Sequence, residues 1–335
     1  MRLIQVGVRR MGNHWVKVGL NNADAEMVGY VDILPEHLDL LSREHGISKD
    51  ICYTDLQTAL NEQRPDGVII VTPPQFHAEQ IIMALEAGCH VLTEKPLADT
   101  WDNCRQVAEA AKKTGRVVMV AQNYRYSPVA QSLYHYIQQG KIGVPGEVTL
   151  RFFRGPHFGG FREEMPYPLI IDMSIHHYDL MRYLLQIEPV AITGRSWNPP
   201  WSWFRGDASS MVFIEAALKR DPARRVYITY TASWCSKGGT TPWNGEWLIF
   251  GDEGCLKLEN DHLYIKADDQ QPWEELPIQP MERTGQDYLL HEFISAVKQG
   301  CQPETNCFDN IKSIEMVFKT VESFETGRRV LLAGE

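Results

Sequence analysis

The chain has 335 residues and a formal net charge of -10, with 44% hydrophobic and 23% charged residues. That length supports two domains with sizeable cores, and the composition is that of a folded globular protein. An acidic chain without a Lys- or Arg-rich run speaks against a nucleic-acid partner, and no stretch of ~18 apolar residues is present to span a membrane.

Residues 2–8 read as an apolar strand, followed by a helix from about residue 12. In "GVRRMG" (7–12), Gly7 and Gly12 take the first and third positions of a G-x-G-x-x-G fingerprint, with Arg9 in place of the middle glycine. Gly7 suits a tight turn, Gly12 lets helix and strand pack closely, and the N–H groups at the helix start face an anion. Arg9 carries a Cβ where a phosphate would otherwise approach, so its guanidinium is expected to meet a pyrophosphate set slightly further out. A second strand, 27–32, ends at Asp32, 20 residues past Gly12. There a carboxylate can bond the ribose hydroxyls of NAD and repel the 2′-phosphate of NADP. An ordinary strand, turn and helix with a capping aspartate is the competing reading.

Helices at 35–45 and 55–63, a strand at 67–71, a helix at 75–87, a strand at 89–93, a helix at 99–114 and a strand at 117–121 follow in turn. Strands alternating with helices predict βαβ units and a parallel sheet. "GVIIV" and "VVMVA" are apolar throughout, as strands covered on both faces should be. This predicts a doubly wound domain over 1–122, with "VTPPQFH" (71–77) and "EKPL" (94–97) on the carboxyl edge where such folds bind ligands. Lys95, between a glutamate and a proline at a strand exit, would be held close to the crevice.

After a helix at 128–139 the texture changes to alternating segments such as "SSMVFIEAAL" and "RVYITYTASW", which predict a mostly antiparallel sheet in a second domain, 123–335. A helix at 169–185 interrupts them, and helices at 285–299 and 308–326 follow. No Pro/Gly linker is present, so the two domains are expected to pack together. Seven scattered cysteines without a C-x-x-C pair read as reduced thiols. The first residues show no signal peptide, so a cytoplasmic location is expected.

"DMSIHHYDLMRYL" (172–184) is the densest polar cluster on an otherwise apolar helical pattern. Asp172, His176 and Asp179 fall at i, i+4 and i+7, one stripe of a helix, while His177 points roughly 100° away. A carboxylate one turn before a histidine can orient an imidazole working as a general base. A metal held by His157, His176, His177 and Asp179 is the competing reading, although no H-E-x-x-H spacing occurs, and no metal is expected. Six of nine tryptophans lie between Trp197 and Trp247 and read as core or subunit interface rather than sugar platforms.

Taken in order, "EKPL" (94–97), "NYRYSP" (123–128), "IDMSIHHYDL" (171–180) and "FGDEGCLKLEND" (250–261) resemble the glucose-fructose oxidoreductase / inositol dehydrogenase family over essentially the whole chain. The resemblance implies an α/β protein: an N-terminal Rossmann domain joined to an α/β domain with a large, mostly antiparallel open sheet, often used for dimer or tetramer contacts. It implies NAD(P)-dependent oxidation of a secondary alcohol on a sugar or cyclitol, and a cis peptide at Lys95-Pro96. The family's catalytic lysine, aspartate and histidine fall on Lys95, Asp172 and His176. His176 would take the hydroxyl proton, Lys95 would stabilise the oxygen, and Asp172 would orient the site.

The residues expected at the cofactor are Gly7, Arg9, Arg10, Met11, Gly12, Asp32, Ile33, Thr72, Pro73, Pro74, His77, Glu94, Lys95 and Asn123. Those expected at the substrate are Lys95, Tyr124, Arg154, Asp172, His176 and His177. NAD is the expected cofactor, with Arg9 and Arg10 keeping NADP open. The expected partners are a small carbohydrate or cyclitol and a second copy of the chain, as a homodimer or homotetramer through the C-terminal sheet. Alternative functions are transient use of tightly bound NAD in glycoside cleavage or elimination, a metal-dependent hydrolase, and a non-catalytic NAD-binding regulator.

Overall fold

The computed structural model describes residues 1–332, which divide into two compact units, 1–123 with 283–312, and 124–282 with the described residues from 313 on. The second unit is not continuous, because 283–312 clusters with the first.

In the first unit, β1 (Arg2–Val6), α1 (Met11–Asn21), β2 (Glu26–Val31), α2 (Pro35–His45), β3 (Cys52–Tyr53), α3 (Leu56–Gln63), β4 (Gly67–Ile70), α4 (His77–Glu86), β5 (His90–Thr93), α5 (Trp101–Thr114) and β6 (Val118–Val120) alternate as the apolar periodicity predicts. The two-residue β3 is the element that periodicity does not show. Local chemistry sets several helix starts: Asp55 accepts from the Thr58 N–H, Thr100 accepts from the Asn103 N–H, and Pro35 opens α2. Gly46 and Gly115 end α2 and α5 in the left-handed conformation.

The strands form a six-stranded sheet in the order β3-β2-β1-β4-β5-β6, with every neighbouring pair parallel. Strand order reverses between β1 and β4, so the loops after these two strands flank the switch point where open α/β sheets bind ligands.

The second unit contains α6 (Pro128–Gln138), β7 (Pro145–Phe153), the short α7 (Phe161–Glu164), a π-helical turn (Leu169–Ser174), α8 (Ile175–Leu185), β8 (Ile187–Trp197), β9 (Ser209–Leu218), β10 (Asp221–Ser233), β11 (Glu246–Gly251), β12 (Gly254–Glu259), β13 (His262–Lys266) and β14 (Glu274–Leu276). Two closing helices, α9 (Gly285–Gln299) and α10 (Cys307–Thr326), and β15 (Val330–Leu331) complete the described chain. The large sheet runs β14-β13-β12-β11-β7-β10-β9-β8-β15. It is antiparallel except for the central β7–β10 pair.

Leu289, Leu290, Phe293 and Ile294 give α9 an apolar face that packs on α1 and β5, and the Val120 N–H donates to the Thr305 carbonyl. These contacts return residues 283–312 to the first unit. On the large sheet, side chains alternate between a covered face (Val212, Ile214, Val226, Ile228, Tyr230) and an open one that exposes Met211, Phe213, Tyr227 and Phe250.

Candidate active site

At the end of β1 the backbone passes so close to the exit of β4 that a Cβ on Gly7 would lie 2.6 Å from the Val71 carbonyl oxygen, and one on Gly12 only 2.3 Å from that of Gly7. Both glycines are therefore required by space. Between them the Gly12 N–H donates to the Arg9 carbonyl at 2.8 Å. Arg10 sits at φ 53°, ψ -112°, the first central position of a type II′ turn, which glycine ordinarily takes. The residue standing in a glycine's conformation is thus Arg10.

α1 starts without a side-chain cap or an acidic residue in its first turn, which leaves its N-terminus suited to an anion. Asp32 leans over this turn: its Oδ2 accepts from the Val8 N–H at 3.2 Å, and its Oδ1 from the Leu34 N–H and His37 Nδ1. A carboxylate offers about four acceptor positions, so Oδ2 retains one for a ribose hydroxyl. The close-packed turn, the uncapped helix and this carboxylate fit a dinucleotide.

Arg9 does not behave as expected. Its guanidinium reaches Glu44 on α2 at 3.3 Å, and Asn13 donates to the same carboxylate, so it is held by a carboxylate rather than left for a pyrophosphate. Met11 and Ile33 are exposed beside the turn.

At the other two strand exits, His77 corrects a second expectation. It is fully buried, with Nε2 at 2.8 Å from the Thr72 carbonyl and Nδ1 at 2.8 Å from the Pro96 carbonyl. Burial lowers its pKa. It ties the Thr72-Pro73-Pro74 loop to the Lys95-Pro96 loop, so it supports these loops rather than lining them. Thr72 itself donates to Gln80. The Lys95-Pro96 peptide is cis. Beside it, Glu94 accepts from the buried Trp15 indole at 2.7 Å and from the Lys95 N–H at 3.2 Å. Burial raises the Glu94 carboxyl above its usual range, opposed by the Trp15 hydrogen bond and the Lys95 charge. Trp15 was missed in the sequence because one tryptophan in an amphipathic helix reads as core.

Asn123, the last residue of this stretch of the first unit, and Tyr124 open a single 3₁₀ turn, and in the second unit the Tyr124 ring stacks on His176 with centroids 4.1 Å apart and planes 9° from parallel. Burial pushes the Tyr124 hydroxyl pKa upward. The expected stripe of Asp172, His176 and Asp179 breaks up. Asp172 lies in the π-helical turn and accepts from Arg162 Nε at 2.7 Å. Asp179 is buried against Arg125, with contacts of 2.5 and 2.6 Å, and accepts from Ser313 at 3.0 Å.

His177, expected at the substrate, is fully buried instead. Its Nε2 lies 3.0 Å from the Trp243 carbonyl, an acceptor only, and its Nδ1 lies 2.9 Å from the Tyr230 hydroxyl. That environment selects the neutral Nε2–H tautomer, and burial lowers its pKa to about 4. The four candidate metal ligands also part company, since His157 stacks on Trp203 at 3.8 Å. Among the described residues no group of three or more His, Cys, Asp or Glu is placed to hold a metal ion.

The geometry agrees with the comparisons. The profile of an oxidoreductase family with an NAD-binding Rossmann fold matches residues 1–122, and that family's C-terminal alpha/beta domain matches 135–332. The chain belongs to this Gfo/Idh/MocA oxidoreductase family. Scyllo-inositol 2-dehydrogenase (NAD(+)) of Bacillus subtilis is 26% identical, over 99% of this chain and 96% of that protein. An uncharacterized protein of Sinorhizobium fredii, y4oX, is 28% identical over 98% of this chain and 95% of that one. The crystal structure of an oxidoreductase from Agrobacterium radiobacter in complex with NAD+, L-tartaric acid and magnesium superposes with a TM-score of 0.88 at 19% identity, over 99% of this chain and 98% of that one.

This family member is an NAD-binding oxidoreductase. Each unit gathers its own share of the expected residues. Gly7, Gly12 and Asp32 meet around one turn, Thr72, Glu94 and Lys95 stand at the exits of β4 and β5, and Tyr124 and His176 stack face to face. Arg162 was not foreseen, because a single arginine in "GGFREE" carries no periodic or motif signal.

Proposed function

We propose that this oxidoreductase oxidises a secondary alcohol of a sugar, cyclitol or sugar derivative, with His176 as the base. The observation that carries the assignment is the stack of the His176 ring on Tyr124, centroids 4.1 Å apart, while the adjacent His177 is fully buried between Tyr230 and the Trp243 carbonyl. Bound NAD would supply the hydride acceptor, held by the 7–12 turn and by Asp32, which favours NAD over NADP by like-charge repulsion. The chain's own groups handle the proton and the oxygen. An imidazole nitrogen of His176 takes the hydroxyl proton. The Lys95 ammonium hydrogen-bonds the oxygen and stabilises its growing negative charge, and Asp172, sharing its charge with Arg162, orients the group it faces. Such contributions are each worth ~10²–10⁴ in rate.

The open sheet face, where Phe213 stacks on Tyr227 at 6.0 Å beside exposed Met211 and Phe250, supports assembly as a homodimer or homotetramer. The seven free thiols support a reducing, cytoplasmic setting.

The test begins with aldoses, cyclitols and sugar acids and follows the reduced-nicotinamide absorbance. On the best substrate, kcat/KM rises with pH through one ionisation. His176→Asn removes that limb and lowers kcat by ~10²–10⁴ while NAD binding persists. A limb that survives in His176→Asn and vanishes only on replacing Lys95 would make the lysine the base.

A further inference from the structure

Resting on that reading of the second unit, we infer that the substrate carries a carboxylate, as a sugar acid does, and that Arg154 receives it. Arg154 follows β7, its backbone fixed by bonds to Ser233 and Ser236. Its guanidinium lies over the Trp243 ring, 4.5 Å from the centroid, and its Nε is buried with no hydrogen-bond partner. Among the described residues the guanidinium forms no ion pair. Leaving a buried charged donor without an acceptor is costly. The aromatic face offsets part of that cost and holds the planar group in one orientation.

The surroundings identify what is missing. Trp243, under the Arg154 guanidinium, accepts through its carbonyl from His177, the neighbour of His176 in sequence, so Arg154 stands near the proposed base. The other arginine of this region, Arg162, is already matched by Asp172 at 2.7 Å. Asp261, in the turn between β12 and β13, feels the charge of Arg154 without pairing with it, and burial raises its own pKa. One guanidinium is therefore unmatched. A planar monoanion that accepts two parallel N–H bonds fits one fork, and a carboxylate has that geometry. A phosphate monoester, near -2 at neutral pH, would leave charge over.

The experiment uses pairs that differ at one carbon: D-glucuronate with D-glucose, D-galacturonate with D-galactose, and the two hexose 6-phosphates as the phosphate arm. NAD reduction and calorimetric binding are measured in parallel on the full chain. For at least one pair the acid is expected to exceed its neutral partner in kcat/KM, and in affinity, by about 10- to 100-fold, the range of a hydrogen bond to a charged group. Arg154→Met should collapse that ratio toward one, chiefly through KM, and Arg154→Lys, which keeps the charge and loses the fork, should fall between. An unchanged urea-unfolding midpoint, together with retained NAD binding, shows that each variant is folded.

A neutral sugar preferred to its acid, a preferred 6-phosphate, or an acid-to-neutral ratio untouched by Arg154→Met would each overturn the inference while leaving the dehydrogenase reading intact. Acid-selective, Arg154-dependent binding without NAD reduction would uphold the inference and count against the dehydrogenase reading.

Discussion

In the first unit the candidate cofactor turn is made by backbone: two glycines with no space for a Cβ, a third residue held at positive φ, and helix N–H groups left uncapped. In the second unit the candidate substrate residues are side chains on a helix whose start is widened into a π turn, and each polar group along it has a separate partner. A backbone-built site tolerates almost any side chain that respects its dihedral angles. A side-chain-built site on a buried helix depends on how each charge and proton is matched, so the two regions should fail in different ways when altered.

The largest effect is expected at Asp179, where the contrast can be broken outright. Asp179→Ala leaves the Arg125 guanidinium buried without its carboxylate, and losing one partner of such a pair costs ~3–5 kcal/mol. Urea unfolding should show that loss, with NAD affinity of the still-folded variant nearly unchanged because the turn is built elsewhere. A loss under ~1 kcal/mol would mean the pair behaves as a surface one and that the second unit does not rest on matched charges.

The division between backbone and side chains also explains what was legible before the structure. Gly7, Gly12 and Asp32 can be found from spacing because the turn they serve has few solutions. The polar cluster at 172–179 also stood out, yet spacing alone could not say which group faces a substrate. "LIIDMS" continues the apolar pattern of α8 without a break, so the π turn that moves Asp172 off the stripe leaves no trace in periodicity. His77 reads like a loop residue because nothing local reveals that two carbonyls from separate strand exits converge on it. The apolar face of α9 announces burial but not which sheet it covers, so the clustering of 283–312 with the first unit leaves no mark in the sequence. The parallel β7–β10 pair is equally silent, since alternation does not encode strand direction.

A pH titration of stability sharpens the same comparison at intermediate size. His177 ionises near pH 4 in the folded chain and near its ordinary value of about 6.5 when unfolded. Between these values the unfolded chain binds a proton that the folded one does not, so stability falls as pH drops through that window and levels off below it. The loss is on the order of 3 kcal/mol. His77, also lowered by burial, adds to it with the same sign. Unfolding measured from pH 7 to pH 4 should show a clearly flatter decline in His177→Gln. An unchanged slope would place the acid sensitivity at other groups and weaken the picture of a histidine held neutral by Tyr230 and Trp243.

The smallest effects come from the two adjacent arginines of the turn, and there the outcomes should differ in sign. Arg10 is held at φ 53°, a conformation that costs a non-glycine residue ~1–3 kcal/mol. Glycine gives back ~0.4–1 kcal/mol of that gain through the greater freedom of the unfolded chain. Arg10→Gly is therefore expected to stabilise the protein by about 1 kcal/mol, with NAD binding kept or improved. Arg9→Gly completes the glycine fingerprint but relieves no strain, and it deletes a half-exposed contact with Glu44 worth about 0–1 kcal/mol. It should destabilise slightly and change NAD affinity by less than ~3-fold, the scale of an exposed pair. Calorimetric NAD binding at two salt concentrations separates the possibilities. If Arg9→Gly weakens binding tenfold and flattens its salt dependence, Arg9 leaves Glu44 for the pyrophosphate when the cofactor arrives, and the turn is built from a side chain as well as from backbone.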